Sequence, residues 1–221
     1  MKDRLTEELV AMRAAKELKP GDYCNLGFGI PELCASCVAD GVVVQSEVGV
    51  LGYGPLYDDD EVDQMNPDYI DAGVHFFRYL PGMSFFDLQV SFAMIRSGRL
   101  ISILGGLQVS EKGDIAVHNK GEEKISYRIG GSVDLAWGAK RLIVAMLHNT
   151  KAGVPKVVRD LTIPATARGC VDLIITDLAV MEVTGKGLVL KEVAPGWTPE
   201  EVIAETDAGL IVAADVREME F

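Results

Sequence analysis

The stretch with the most chemical promise is Gln45-Ser46-Glu47-Val48-Gly49-Val50-Leu51-Gly52-Tyr53-Gly54-Pro55. Its carboxylate follows directly on a β-branched run, residues 42–45, that reads as a buried strand. Ligands of open α/β sheets sit beyond the carboxyl ends of strands, and the glycines after Glu47 let backbone or ligand approach closely. A glutamate at a strand end is also commonly solvated or ion-paired, and the residue types alone leave both readings open. Other candidates are weaker. Cys34-x-x-Cys37 has a redox or zinc spacing, but no second ligand pair follows it, so it reads as the inward face of a short helix. The acidic run Asp58-Asp59-Asp60-Glu61 lacks the spacing of a calcium loop and reads as a solvated loop. His75, His118 and His148 form no nucleophile–base pattern and read as core or surface histidines.

These residues need elements to hold them. Residues 3–19 predict an amphipathic helix capped by Asp3, with Leu5, Leu9 and Met12 on one face and a stop at Pro20-Gly21. A short strand at 23–26 leads into the turn Gly27-Phe28-Gly29-Ile30-Pro31, where Pro31 suits the first turn of a helix over 31–39. Further strands are predicted at 42–45, 74–80, 100–104, 141–147, 171–176, 179–183, 188–193 and 210–213. A helix is predicted from Ser84 to Arg96, with Ser84 and Asp87 as a capping box. Glu111-Lys112-Gly113-Asp114 reads as a hairpin turn, Gly130-Gly131 as the start of a helix near 132–139, and Thr198-Pro199-Glu200-Glu201 as the start of the last helix. Alternating apolar strands and helices predict an α/β sheet covered on both faces, mixed because of the hairpins, in a single domain over 1–221.

The composition is consistent with this. At 221 residues, 48% hydrophobic and 24% charged, the chain can bury a full core without a metal or disulfide staple. A net charge of −12 without a basic cluster disfavours nucleic acid. Any anion site must then be local, and Lys120, Lys124 and Arg128, just before Gly130, are the candidates beside a reading as solvated charges. The absence of an apolar leader and of any 18-residue apolar window leads to the expectation of a cytoplasmic protein with reduced thiols.

Ser46-Glu47-Val48-Gly49-Val50-Leu51-Gly52 resembles the Ser-Glu-Asn-Gly-φ-φ-Gly signature of the β subunits of family I CoA-transferases. Asn25-Leu26-Gly27-Phe28-Gly29-Ile30-Pro31 is similar to the family's early glycine turn. Leu80-Pro81-Gly82, Ser91-Phe92-Ala93-Met94-Ile95-Arg96, Leu107-Gln108-Val109, Gly130-Gly131-Ser132-Val133-Asp134-Leu135, Ile174-Ile175-Thr176-Asp177-Leu178-Ala179-Val180 and Gly187-Leu188-Val189-Leu190 extend the resemblance colinearly over nearly the whole chain. It implies a three-layer α/β/α open mixed sheet, similar to the ribose-5-phosphate isomerase-like fold. It also implies ping-pong transfer through a glutamyl–CoA thioester, with Glu47 as nucleophile and the N–H of Gly131 as an oxyanion donor. Gly27, Gly29, Gly49 and Gly130 are then candidates to contact CoA or substrate, with Lys120, Lys124 and Arg128 for its phosphates. Coenzyme A is a substrate in this scheme, and neither cofactor nor metal is expected.

The family resemblance further implies a separate α subunit, in an α2β2 heterotetramer, and short-chain acyl-CoA with a carboxylic or 3-oxo acid as substrates. Two departures stand out: Val48 replaces the usual Asn beside the nucleophile, and residues 118–128 do not keep the family's Trp-Met-Ile-Pro-Gly-Lys stretch. An acyl-CoA hydrolase on the same scaffold and a non-catalytic regulatory or binding partner are the alternatives.

Overall fold

A computed structural model describes residues 2–119 and 129–221. In chain order it forms α1 (Glu7–Ala15), β1 (Tyr23–Leu26), α2 (Ile30–Leu33) continued by a 3-10 turn (Cys34–Ser36), β2 (Val43–Ser46), β3 (Val50–Leu51), β4 (Ser84–Phe85), α3 (Leu88–Ile95) and β5 (Ile101–Leu104). There follow β6 (Gln108–Ser110), β7 (Ile115–Ala116), α4 (Ser132–Gly138), β8 (Arg141–Ala145), β9 (Val157–Val158), β10 (Leu173–Ile175), β11 (Ala179–Thr184), β12 (Gly187–Val193), α5 (Pro199–Ala204) and β13 (Leu210–Glu218).

One ten-stranded sheet runs β13-β12-β11-β10-β8-β5-β1-β2-β3-β4, and a small sheet runs β7-β6-β9. The centre, from β2 through β1, β5 and β8 to β10, is parallel, while β2-β3-β4 and β10-β11-β12 are antiparallel. Central residues alternate between two cores, as the period of two in a strand requires. Ile101, Ile103, Ile143, Ala145, Leu173 and Ile175 pack with α1 and α2 residues such as Val10, Ala14 and Ile30. Leu104, Leu142, Val144 and Ile174 pack on the other face with Ile95 of α3, Leu135 of α4 and Val202 of α5. The result is a mixed sheet with helices on both faces, the predicted α/β class.

Several boundaries differ from the sequence expectation. Helix α1 is capped by Thr6, whose hydroxyl accepts from the Leu9 N–H, and not by Asp3. The carbonyl of Asp3 instead accepts from the Trp197 indole at 2.9 Å. Ser84 does not cap α3: it lies in β4, and the Asp87 carboxylate accepts from the Val90 N–H at 2.9 Å. The predicted strand at 74–80 is irregular and forms no regular ladder, pairing through the isolated bridges Leu56↔Phe77 and Ile70↔Phe76. Its start is bent because Asp71 Oδ1 accepts from the N–H groups of both Gly73 and His75, and Val74 is driven to φ 69°. Cys34 points into the core while Cys37 is exposed, so the two cysteines do not share an inward face. No helix among the described residues is long and apolar enough to cross a membrane.

Candidate active site

Parallel strands β1, β2 and β5 send their carboxyl ends to the same edge of the sheet, where α/β proteins place ligands. β1 ends in the Gly27-Phe28-Gly29 turn and β5 in Gly105-Gly106, whose first glycine lies against the Phe28 carbonyl. β2 behaves differently: it turns straight back into β3 through the three residues Glu47, Val48 and Gly49, with Ser46 paired to Val50. The Gly49 N–H closes this turn on the Ser46 carbonyl at 3.1 Å, and Gly49 takes the left-handed φ of 109° that ends such a hairpin loop. A side chain at Gly49 would strike the Phe86 carbonyl oxygen, so this glycine lets the backbone just before α3 pass close beneath the turn. Glu47 is thereby carried on a rigid hairpin apex rather than on a free loop.

The Glu47 carboxylate is half-buried and directed at the start of α4. The backbone N–H of Gly131 faces it and favours its ionised form. A Cβ built on Gly131 would collide with Glu47 Oε2 and lie 3.0 Å from Glu47 Cδ and from the Phe92 ring edge. One at Gly130 would lie 3.5 Å from Oε1. The Gly130-Gly131 pair therefore gives the carboxylate room to sit against bare backbone. Burial pushes the Glu47 carboxyl above its ordinary value, the Gly131 N–H pulls the other way, and the negative charge of Asp134 adds to the rise. Asp134, in the first turn of α4, accepts from Arg96 Nε at 2.7 Å.

Beneath the nucleophile candidate runs a buried polar row that sequence reasoning did not single out. Gln45 pairs in register with Asn25, and Asn25 with Ser102. Asn25 Nδ2 donates to Gln45 Oε1, and Gln45 Nε2 donates to Ser91 Oγ on α3 at 2.8 Å. Ser46 Oγ accepts from the Ala72 N–H at 3.0 Å. These bonds fix the strand that delivers Glu47 to both its neighbouring strand and the covering helix. The available signal was polar side chains at positions of apolar strands that the period of two points inward.

The remaining candidates play different parts. Gly27 serves packing: its N–H donates to the Ile103 carbonyl at 2.8 Å, and a Cβ would meet Leu104 at 2.9 Å. Gly29 has open space on its side-chain face and a φ of 85°, with its N–H held by Glu32 Oε1 at 2.9 Å. Val48 is exposed at the hairpin apex. Lys120, Lys124 and Arg128 lie outside the described residues. His148 is a core histidine, bridged by Thr176 and Thr206 and held neutral by burial at a pKa of about 3. His118 meets Thr166 at 2.7 Å. The acidic run is anchored through an ion pair between Glu61 and Arg78.

A carboxylate on a hairpin apex, lifted by burial and facing a backbone N–H, can act as a nucleophile toward an activated acyl group. The Coenzyme A transferase family profile matches residues 8–205. The B subunit of the succinyl-CoA:3-ketoacid coenzyme A transferase of Helicobacter pylori (strain ATCC 700392 / 26695) is 42% identical over 91% of this chain and 96% of its own length. The B subunit of the 3-oxoadipate CoA-transferase of Acinetobacter baylyi is 41% identical over 95% and 97%. Among solved structures, an acyl-CoA transferase of Escherichia coli O157:H7, in a thioester complex with CoA, superimposes with a TM-score of 0.73 at 22% identity, over 100% of this chain and 44% of that one. The chain belongs to the coenzyme A transferase family. Within it, the chain is a CoA-transferase B subunit.

Proposed function

We propose that this chain is the nucleophile-carrying β subunit of a heteromeric CoA-transferase that moves CoA between a short-chain acyl-CoA (acetyl-, butyryl- or acetoacetyl-CoA) and a carboxylic or 3-oxo acid. The observation that carries the reading is the Glu47 carboxylate, desolvated and set against the Gly131 N–H. Glu47 attacks the thioester carbonyl, the C–S bond breaks, and CoA leaves as thiolate from a mixed anhydride. The thiolate then attacks the glutamyl carbonyl, releasing the first acid as its carboxylate and leaving a glutamyl–CoA thioester. A second carboxylate reverses both steps, so the bonds and charges balance without any external acid. Only a carboxylate can do this, because its acylated form is an anhydride that CoA can open at the protein's own carbonyl. As negative charge gathers on the tetrahedral oxygen, the Gly131 N–H is its donor in this reading.

An α subunit completes the site in this reading. The names of the B-chain relatives support it, and so does the exposed apolar surface near the free edge of β4. Phe85, Leu88, Val90, Tyr79 and Leu80 are each 43–56% exposed there. Phe85 and Tyr79 both stack on Tyr69, with centroids 5.6 and 6.2 Å away, so the rings are held in place before any partner arrives. The proposed assembly is α2β2.

Incubation of the co-expressed subunits with acyl-CoA and no acceptor acid tests the reading by intact mass. The β chain gains CoA, borohydride removes it at Glu47, and Glu47→Gln abolishes the adduct. Turnover in that variant falls by several orders of magnitude, as loss of a covalent nucleophile causes. A variant with near-normal turnover overturns the assignment, and product formation without acceptor acid points to hydrolysis instead.

A further inference from the structure

Away from Glu47, a second group of chemistry-bearing side chains meets where α2 faces the bent segment after residue 70. Glu32 is only 5% exposed. Its Oε1 accepts from the Gly29 N–H, but its buried Oε2 accepts no hydrogen bond from any described residue. That orphaned oxygen faces His75 Nδ1 at 3.1 Å. Asp71, 6% exposed, spends Oδ1 on the N–H groups of Gly73 and His75, at 2.8 and 2.9 Å, and neither bond uses Oδ2. One ligand atom from each of Glu32, Asp71 and His75 can be chosen so that all lie within 4.8 Å of one another. Gly73 forms the wall: a Cβ there would collide with Glu32 Oε2.

We propose that Glu32, Asp71 and His75 bind one divalent transition-metal ion, which clamps the bent segment onto the glycine turn at the end of β1. At that distance something must lie between Nδ1 and Oε2, a proton on the ring or a metal ion, and the ion also takes in Asp71. Burial and, less strongly, the Asp71 charge disfavour the ionised Glu32, the Gly29 N–H and His75 favour it, and a cation held by both carboxylates would offset the burial. An ion with bonds of about 2.0–2.2 Å to oxygen and nitrogen separates neighbouring ligand atoms by roughly 3.0–3.5 Å, which includes the observed spacing of Glu32 and His75. Two carboxylates and one imidazole suit zinc, with a further position left for water. The His75 side chain is 47% exposed and gives the ion an entry path. This departs from the sequence expectation that the chain holds no metal. It stands independently of the role of Glu47.

Equilibrium dialysis of the full chain, co-purified with its α subunit, against zinc chloride tests the proposal by elemental analysis. Wild type and the control Cys37→Ser should each retain one zinc per chain more than Glu32→Gln and His75→Asn. Zinc at one hundred times its Kd should raise the melting temperature of wild type by about 5–10 °C and leave that of His75→Asn unchanged. His75→Asn keeps the test decisive if Glu32→Gln fails to fold, since the His75 side chain is half-exposed. Equal zinc in wild type and His75→Asn overturns the site and assigns the positive charge to a proton on His75. Loss of the zinc in Cys37→Ser overturns it in favour of a thiol.

Discussion

Buried polar groups are treated in opposite ways on the two sides of the ten-stranded sheet. On the side of β11, β12 and β13, the buried Glu192 and His148 are saturated. Glu192 accepts from Arg13 Nε at 2.7 Å, from Arg13 Nη2 at 3.1 Å and from Arg217 at 3.1 Å. His148 has a threonine hydroxyl on each ring nitrogen. On the side of β1, β2 and β5, three buried atoms have no hydrogen-bond partner among the described residues: Asn25 Oδ1, Ser102 Oγ and Glu32 Oε2, the last of these set against His75. Val74, the one non-glycine residue with positive φ among the described residues, also lies there. A native fold rarely leaves such groups unpaired without a reason, because each costs about 1–3 kcal/mol. The saturated side is built to hold the sheet together, and the open side surrounds the carboxylate proposed to do the chemistry.

The sharpest way to break this contrast is to unpair the saturated side. Glu192→Ala leaves the Arg13 guanidinium buried with only Glu17, which holds Nη1 at 2.9 Å. Breaking a buried pair costs about 3–5 kcal/mol, and the surviving Glu17 contact places this case near the lower figure. The expected result is a melting temperature lower by about 6–12 °C, with kcat unchanged below the transition. Thermal denaturation and a transferase assay on the same preparation check both halves. A loss of turnover without loss of stability would show that the β12 side reaches the chemistry.

On the open side the signs exchange. Gly131 is buried but has an ordinary φ of −84°, so alanine suits its backbone. Its methyl group, however, would occupy the place of Glu47 Oε2 and crowd the Phe92 ring. By pushing the Glu47 carboxylate aside, Gly131→Ala should therefore lower kcat by about 10²-fold, or about 2.7 kcal/mol of barrier. Both crowded groups are side-chain ends that can swing aside, so the melting temperature should move little. Kinetics beside circular dichroism melts decide it, and a folded variant with full activity would remove Gly131 from the site.

How much of this was legible in the sequence follows the same division. The hairpin of β11 and β12 and the capping box of Thr198 with Glu201 were readable because apolar alternation and local side-chain bonds fix them. Glu47 and Gly131 were paired only through resemblance. They lie far apart in the chain, and their contact is created by the hairpin after β2 meeting the start of α4. The predicted strand at 74–80 failed because its hydrophobic pattern says nothing of Asp71, whose carboxylate captures two backbone N–H groups and bends the chain. The row Gln45, Asn25 and Ser102 was hidden because its residues become neighbours only through parallel pairing across three strands.

The finest test of the open side is electrostatic. Asp134 has its negative charge close enough to Glu47 to raise the carboxyl further above the value that burial alone gives it, while Arg96 partly screens that charge. A nucleophilic Glu47 must be ionised, so kcat/KM falls as pH drops through its pKa in the free enzyme. Asp134→Asn removes a like charge and frees the Arg96 cation, and both changes favour the ionised form. The acid limb of kcat/KM should therefore move to lower pH, with the plateau at higher pH nearly unchanged and with stability barely altered. In Glu47→Gln the residual activity should lose that limb altogether. An acid limb that stays in place in Asp134→Asn would mean that another group titrates there, and that the raised Glu47 carboxyl does not set the rate.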